Sequence, residues 1–67
     1  MEIQVNDQEC TLPDGDTLFN LLRERGMDNR PGLAVAINKN VIPATDWSFC
    51  RLKDGDRVLI IQATSGG

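Results

Sequence analysis

Arg57-Val58-Leu59-Ile60-Ile61-Gln62-Ala63-Thr64-Ser65-Gly66-Gly67 is the stretch on which the fold turns, a strand pattern that runs without interruption into two glycines. Val58 and Ile60 fall on one side of a two-residue period and Leu59 and Ile61 on the other. A strand that is apolar on both faces belongs inside a sheet. The five residues after Gln62 read as a flexible tail, 63–67, on a single domain spanning 1–62. Fully extended, such a tail reaches at most about 17 Å. A closing glycine presents a carboxylate with no side chain beside it, on a backbone open to conformations that other residues avoid. That group can be threaded into a narrow site on another protein, with Gly67 at the reacting end and Ser65 and Gly66 threading behind it. The alternative is a frayed polar terminus, the usual state of a domain's last residues.

Outward from that strand, Leu33-Ala34-Val35-Ala36-Ile37 is a second run that is apolar on both faces, and it reads as central. Its bulky residues Leu33, Val35 and Ile37 point to one side, and Ala34 and Ala36 leave the other nearly flat. Upstream, Leu18, Leu21 and Leu22 fall at i, i+3 and i+4, one stripe of a short helix. Asp16 or Thr17 caps its start, Gly26 ends it in the left-handed conformation, and Phe19 flanks the core at its edge. Residues 2–12 read as a hairpin in which Ile3, Val5, Cys10 and Leu12 share the buried side and Asn6-Asp7 makes the turn. Asn38-Lys39-Asn40 turns the chain again into a short strand, Val41-Ile42, which Pro43 confines to an edge or ends because proline has no N–H for a ladder. From Ala44 to Leu52 the chain is short and irregular or makes a single helical turn. Trp47, Phe49 and Leu52 are its expected apolar anchors, with the indole N–H of Trp47 on a wet edge.

These elements predict an α+β fold in which one helix packs across a mixed sheet of four or five strands, with the final strand parallel to the first and beside it. This is the β-grasp, or ubiquitin-like, arrangement. A single helix covers one face only. If Val58 and Ile60 meet it, then Leu59 and Ile61 lie beside Ala34 and Ala36 on the open face, and the four make an apolar patch near the root of the tail. Such a patch reads as a contact surface, the alternative being scattered surface apolar residues.

Sixty-seven residues allow one small domain, and 40% hydrophobic with 25% charged residues is ordinary globular composition. Ten acidic against seven basic side chains give a net charge of -3 with no basic stripe. Nucleic acid is therefore not an expected partner. No apolar run approaches the roughly 20 residues that span a bilayer, and Met1-Glu2 does not open a signal peptide, so the expected location is the cytoplasm, away from membranes. Cys10 and Cys50 have no Cys-x-x-Cys spacing, and the chain has no histidine, so no zinc site is expected. The two thiols read as small buried hydrophobes, with a reactive thiol or a disulfide as the alternatives.

Histidine and tyrosine are both absent, which removes the commonest general base and the usual nucleophile–base pairs. No catalytic residue is expected in this chain. Asp14 to Asp16 and Asp54 to Asp56 sit where turns are needed, and neither extends into a calcium loop. No Gly-rich phosphate loop is present either, so the chain is expected to bind no cofactor and any ATP belongs to a partner.

Ala34-Val35-Ala36-Ile37-Asn38, Val41-Ile42-Pro43, Trp47, Leu52-Lys53-Asp54-Gly55-Asp56-Arg57-Val58 and the closing Gly66-Gly67 together resemble ThiS, the sulfur carrier family of thiamine biosynthesis within the wider ThiS/MoaD group. The likeness extends over nearly the whole sequence, though the amino-terminal half matches in pattern only. The resemblance implies that a ThiF-like enzyme uses ATP to adenylate the Gly67 carboxylate. Sulfur from a cysteine desulfurase relay then displaces AMP to leave a thiocarboxylate, which a ThiG-like thiazole synthase accepts. It further implies that Ala34, Ala36, Leu59 and Ile61 form the docking face and that this chain is a substrate of its partners rather than an enzyme. Family members often carry apolar residues just before the glycines, where this sequence has Ala63, Thr64 and Ser65. Two other readings share the fold. One is the small subunit of molybdopterin synthase, which also ends in Gly-Gly but is usually longer and carries a Pro-Pro segment that is absent here. The other is a β-grasp interaction module whose tail does no chemistry.

Overall fold

The computed structural model describes residues 1–62. The chain order is β1 (Glu2–Val5), β2 (Gln8–Thr11), α1 (Leu18–Glu24), β3 (Leu33–Ile37), β4 (Asn40–Val41), a 3-10 turn (Ala44–Phe49) and β5 (Arg57–Gln62). The strands form one sheet in the order β2-β1-β5-β3-β4. β1 and β5 run parallel, and every other neighbouring pair is antiparallel. With its hairpins and, among the described residues, one crossing α-helix, this is the β-grasp fold expected from the sequence.

Two tight turns set the registers. Val5 pairs with Gln8 and Ile37 with Asn40, so each hairpin closes through two residues. Such loops need positive φ at both central positions. Asn6 and Asp7 supply φ of 50° and 68°, and Asn38 and Lys39 supply 50° and 72°. Asn and Asp enter this region more readily than most side chains, which accounts for the residue chosen at the first position of both turns. The second strand of this hairpin therefore begins one residue earlier than the pattern suggests, at Asn40. Ile42 N–H still donates to Val35 O at 2.9 Å before Pro43 ends the pairing.

Helix α1 begins at Thr17, whose Oγ1 accepts from Asn20 N–H at 3.1 Å. Asp16 Oδ1 adds bonds from Thr17 N–H at 3.1 Å and Asn20 Nδ2 at 2.7 Å. At the other end Gly26, with φ of 70°, donates to Arg23 O at 3.0 Å and Met27 donates to Leu22 O at 2.8 Å. That pair of bonds is a Schellman ending, and it needs a residue at ease with positive φ. Between the caps, Leu18, Leu21 and Leu22 are essentially sealed from solvent. Each such leucine contributes about 1.5–3 kcal/mol by its burial.

The core beneath the helix consists of Ile3, Val5, Leu12, Val35, Ile37, Trp47, Leu52 and Val58 packed on the three leucines, with Phe19, Leu33 and Ile60 partly buried around it. Trp47 is buried, and its indole N–H donates to Ile42 O at 2.9 Å. Phe49 departs from expectation, since it is 82% exposed and anchors nothing. The cause is the local helix type. With three residues per 3-10 turn, positions 47 and 50 share a side, so once Trp47 points inward Phe49 must face water. Cys10 and Cys50 are also not sealed in the core; both are free thiols of intermediate exposure.

Candidate functional site: the open face beside β5

β5 is the central strand, flanked by β1 and β3, and it divides its side chains between two environments. Val58 is buried under the helix, whereas Leu59 and Ile61 remain 49% and 53% exposed on the other side. The register sets Ala36 opposite Leu59 and Ala34 opposite Ile61. The four residues expected to share a face thus lie side by side, with two alanines too short to cover their neighbours. Among the described residues no element packs over them.

Val41 belongs to the same surface, although the sequence reading did not include it. It pairs with Ala36 from β4 and is 74% exposed. The signal was available: had the turn been read as the two residues Asn38-Lys39, Val41 would have fallen opposite Ala36. Toward β1 the face turns polar, where Gln4 pairs with Arg57. A shallow hollow of about 420 Å³ lies there between the two tight turns, lined among others by Gln4, Asn6, Ala36, Asn38, Arg57 and Leu59.

Both turn asparagines reach β5 with their side chains. Asn38 Oδ1 accepts from Arg57 N–H at 3.0 Å while its Nδ2 donates to Asp56 Oδ1 at 3.0 Å. Asn6 Oδ1 accepts from Ile60 N–H at 2.8 Å, and its Nδ2 donates to Ile60 O at 3.3 Å. On the β3 flank, Arg30 Nη1 donates to Gln62 Oε1 at 3.2 Å. None of these contacts was read from the sequence: a turn asparagine is sufficiently explained by its own φ, and Arg30 reaches Gln62 across 32 residues. Ser65, Gly66 and Gly67, the residues expected to enter and be modified in a partner, lie outside the described residues.

Catalytic equipment is sparse in what is described. Among the described residues no three His, Cys, Asp or Glu side chains gather so as to hold a metal ion. Burial, and after it the charges of Asp56 and Asp46, push the Cys50 thiol above its ordinary value, which makes it a poorer nucleophile at neutral pH. Among the described residues no helix is long and apolar enough to cross a membrane.

Fold and face together define a small β-grasp protein that exposes an apolar sheet surface along its central strand. Comparison with known proteins narrows the class. The ThiS family model matches residues 1–67. The sulfur carrier protein ThiS of Escherichia coli K12 is 37% identical over 68 residues, covering 100% of both chains. The chain belongs to the ThiS family. In structure it is similar to the crystal structure of a thiamine biosynthesis protein (ThiS) from Geobacter metallireducens, with a TM-score of 0.83, 23% identity and full coverage of both chains. A solution structure of a thiamine biosynthesis protein from the same organism gives a TM-score of 0.75 at 23% identity over 100% of this chain and 88% of that one. These two likenesses bear on the fold alone.

Proposed function

We propose that this chain is a sulfur carrier protein for thiazole formation in thiamine biosynthesis, acting as a substrate of its partner enzymes rather than as a catalyst. A ThiF-like enzyme joins the Gly67 carboxylate to the AMP portion of ATP and releases pyrophosphate. The terminal sulfur of a persulfide from a cysteine desulfurase relay attacks the acyl carbon, and AMP leaves with the bonding pair. A thiol then reduces the resulting S–S bond, leaving a thiocarboxylate on Gly67 for a ThiG-like synthase. Adenylation is needed because a carboxylate oxygen is a poor leaving group and AMP a good one. Two glycines at the reacting end put no side chain in the path of the attacking persulfide.

The observation that carries the reading is the half-exposure of Leu59 and Ile61 on the strand that leads directly into residues 63–67. A docking partner that covers this face has the last residues within reach of its own active site. Membership of the ThiS family along the whole sequence supports the same reading. Ala34, Ala36, Leu59 and Ile61 are the proposed docking residues. Ser65 and Gly66 thread, and Gly67 reacts. ATP is bound by the adenylating partner.

The test is intact mass after incubation with ATP, an adenylating partner and a sulfur source. Replacement of one oxygen by one sulfur, lost on deletion of Gly67, is the expected result. An unchanged mass with a partner that adenylates its own carrier would exclude the reading. A β-grasp module that only docks would keep its partner after Gly67 is deleted, with nothing further lost.

A further inference from the structure

β1 is too short to accompany β5 to its end. Their pairing covers Gln4 with Arg57 and Val5 with Val58, after which β1 turns away through Asn6-Asp7. The backbone N–H of Asn6 makes one last reach, to Val58 O at 2.9 Å. The next groups of β5 facing that side are the N–H and C=O of Ile60, where among the described residues no strand lies alongside. The Asn6 side chain takes both, accepting from Ile60 N–H at 2.8 Å and donating to Ile60 O at 3.3 Å. A primary amide offers the same donor and acceptor as a peptide group. One side chain therefore stands in for a missing rung of the ladder.

The residue type is constrained twice. The turn needs positive φ at this position, 50° here, and the rung needs a short amide. Glycine meets the first requirement only, aspartate lacks the donor, and asparagine meets both. On the opposite flank Gln62 pairs with Leu33 and is held by Arg30, whose Nε also donates to Gly26 O at 3.3 Å. β5 is thus held as far as Ile60 on its β1 flank and as far as Gln62 on its β3 flank.

We propose that Asn6 is a positioning residue for the carrier reaction, its side chain extending the β1–β5 ladder by one rung and so fixing the β5 backbone at Ile60, close in sequence to the reacting residues. The geometry stands by itself; the consequence for the reaction rests on the carrier reading above. Without the rung, the end of β5 keeps only its β3 flank. Additional backbone must then be ordered whenever the last residues enter a partner's site, which weakens productive binding. Asn6 touches no reacting atom, so the rate from the bound complex is preserved.

Asn6→Gly tests this, because glycine keeps the left-handed turn while removing the amide; Asn6→Asp retains the acceptor and loses the donor. Amide hydrogen exchange should accelerate roughly tenfold or more at Ile60 in Asn6→Gly, and by more than at the core amides of Leu22 and Val35. In an ATP–pyrophosphate exchange assay with a ThiF-like enzyme, KM for the carrier should rise roughly 5- to 30-fold, the ratio for re-ordering one residue, at unchanged kcat. Exchange at Ile60 that changes no more than in the core overturns the rung, and a fall in kcat at constant KM overturns the positioning role. If the wild-type chain supports no exchange of pyrophosphate, the carrier reading and the positioning role fall together, while hydrogen exchange still decides the rung. Should Asn6→Gly not fold, Asn6→Asp and the wild-type chain decide the rung: the Oδ1 acceptor present in both should keep the Ile60 amide protected, and unprotected exchange at Ile60 in the wild-type chain refutes it.

Discussion

Truncating Leu59 and Ile61 together to alanine should separate docking from folding. In the free protein these side chains are 49% and 53% exposed, so about half of each remains to be covered by a partner. Complete burial of a leucine or isoleucine is worth about 1.5–3 kcal/mol, which leaves about 1 kcal/mol per residue to be gained on docking. Allowing for the methyl that alanine keeps, the double variant should lose about 1.5–2 kcal/mol of binding, or roughly 10- to 30-fold in Kd. Isothermal titration against a ThiF-like enzyme reads this directly, and a thermal melt of the free variant checks that it is folded. Phe49→Ala is the control. Phe49 is 82% exposed, more than either patch residue, but it lies on the 3-10 turn that packs against α1 and not on the open face. A change of less than about threefold in the double variant, or an equal loss in Phe49→Ala, would refute the assignment of this face.

Further expectations concern the body that carries the face. Leu22→Ala removes a fully buried side chain beneath the helix and should cost about 2–5 kcal/mol in urea denaturation, enough to leave so small a domain largely unfolded. Thr17→Ala removes the cap on Asn20 N–H and should cost about 1 kcal/mol, read as a lowered Tm. Trp47→Phe leaves the carbonyl of Ile42 without its 2.9 Å donor and should cost about 1–3 kcal/mol by chemical denaturation. The Cys50 thiol is raised by burial first and by Asp56 and Asp46 second. An acid whose folded value lies above its unfolded value holds its proton longer when folded. Its contribution to stability is therefore complete below the unfolded thiol value and is lost as pH rises through the folded one. Tm of the wild-type chain should accordingly fall more steeply on the alkaline side than that of Cys50→Ala.

Periodicity and turn chemistry alone revealed most of the architecture, because in a small sheet each face has one solvent and each side chain one option. The alternation of Val58 with Leu59 and of Val35 with Ala36, the Leu18-Leu21-Leu22 stripe and the Thr17 and Gly26 caps are local patterns that need no partner to be read. They sufficed for the mixed sheet, the crossing helix and the open face carrying Ala34, Ala36, Leu59 and Ile61. The family, too, was legible in linear motifs. What required the tertiary structure were contacts between segments far apart in the chain. Phe49 reads as an anchor because it is apolar, yet the phase of a 3-10 turn, set by how Trp47 enters the core, sends it outward. Val41 joined the open face only through the register of the Asn38-Lys39 turn. Asn6 bonds Ile60 at a separation of 54 residues, and Arg30 reaches Gln62 across 32. A sequence specifies local conformation through each residue's own sterics and polarity, whereas the partner of a side-chain amide is decided by which strand the folded sheet brings beside it.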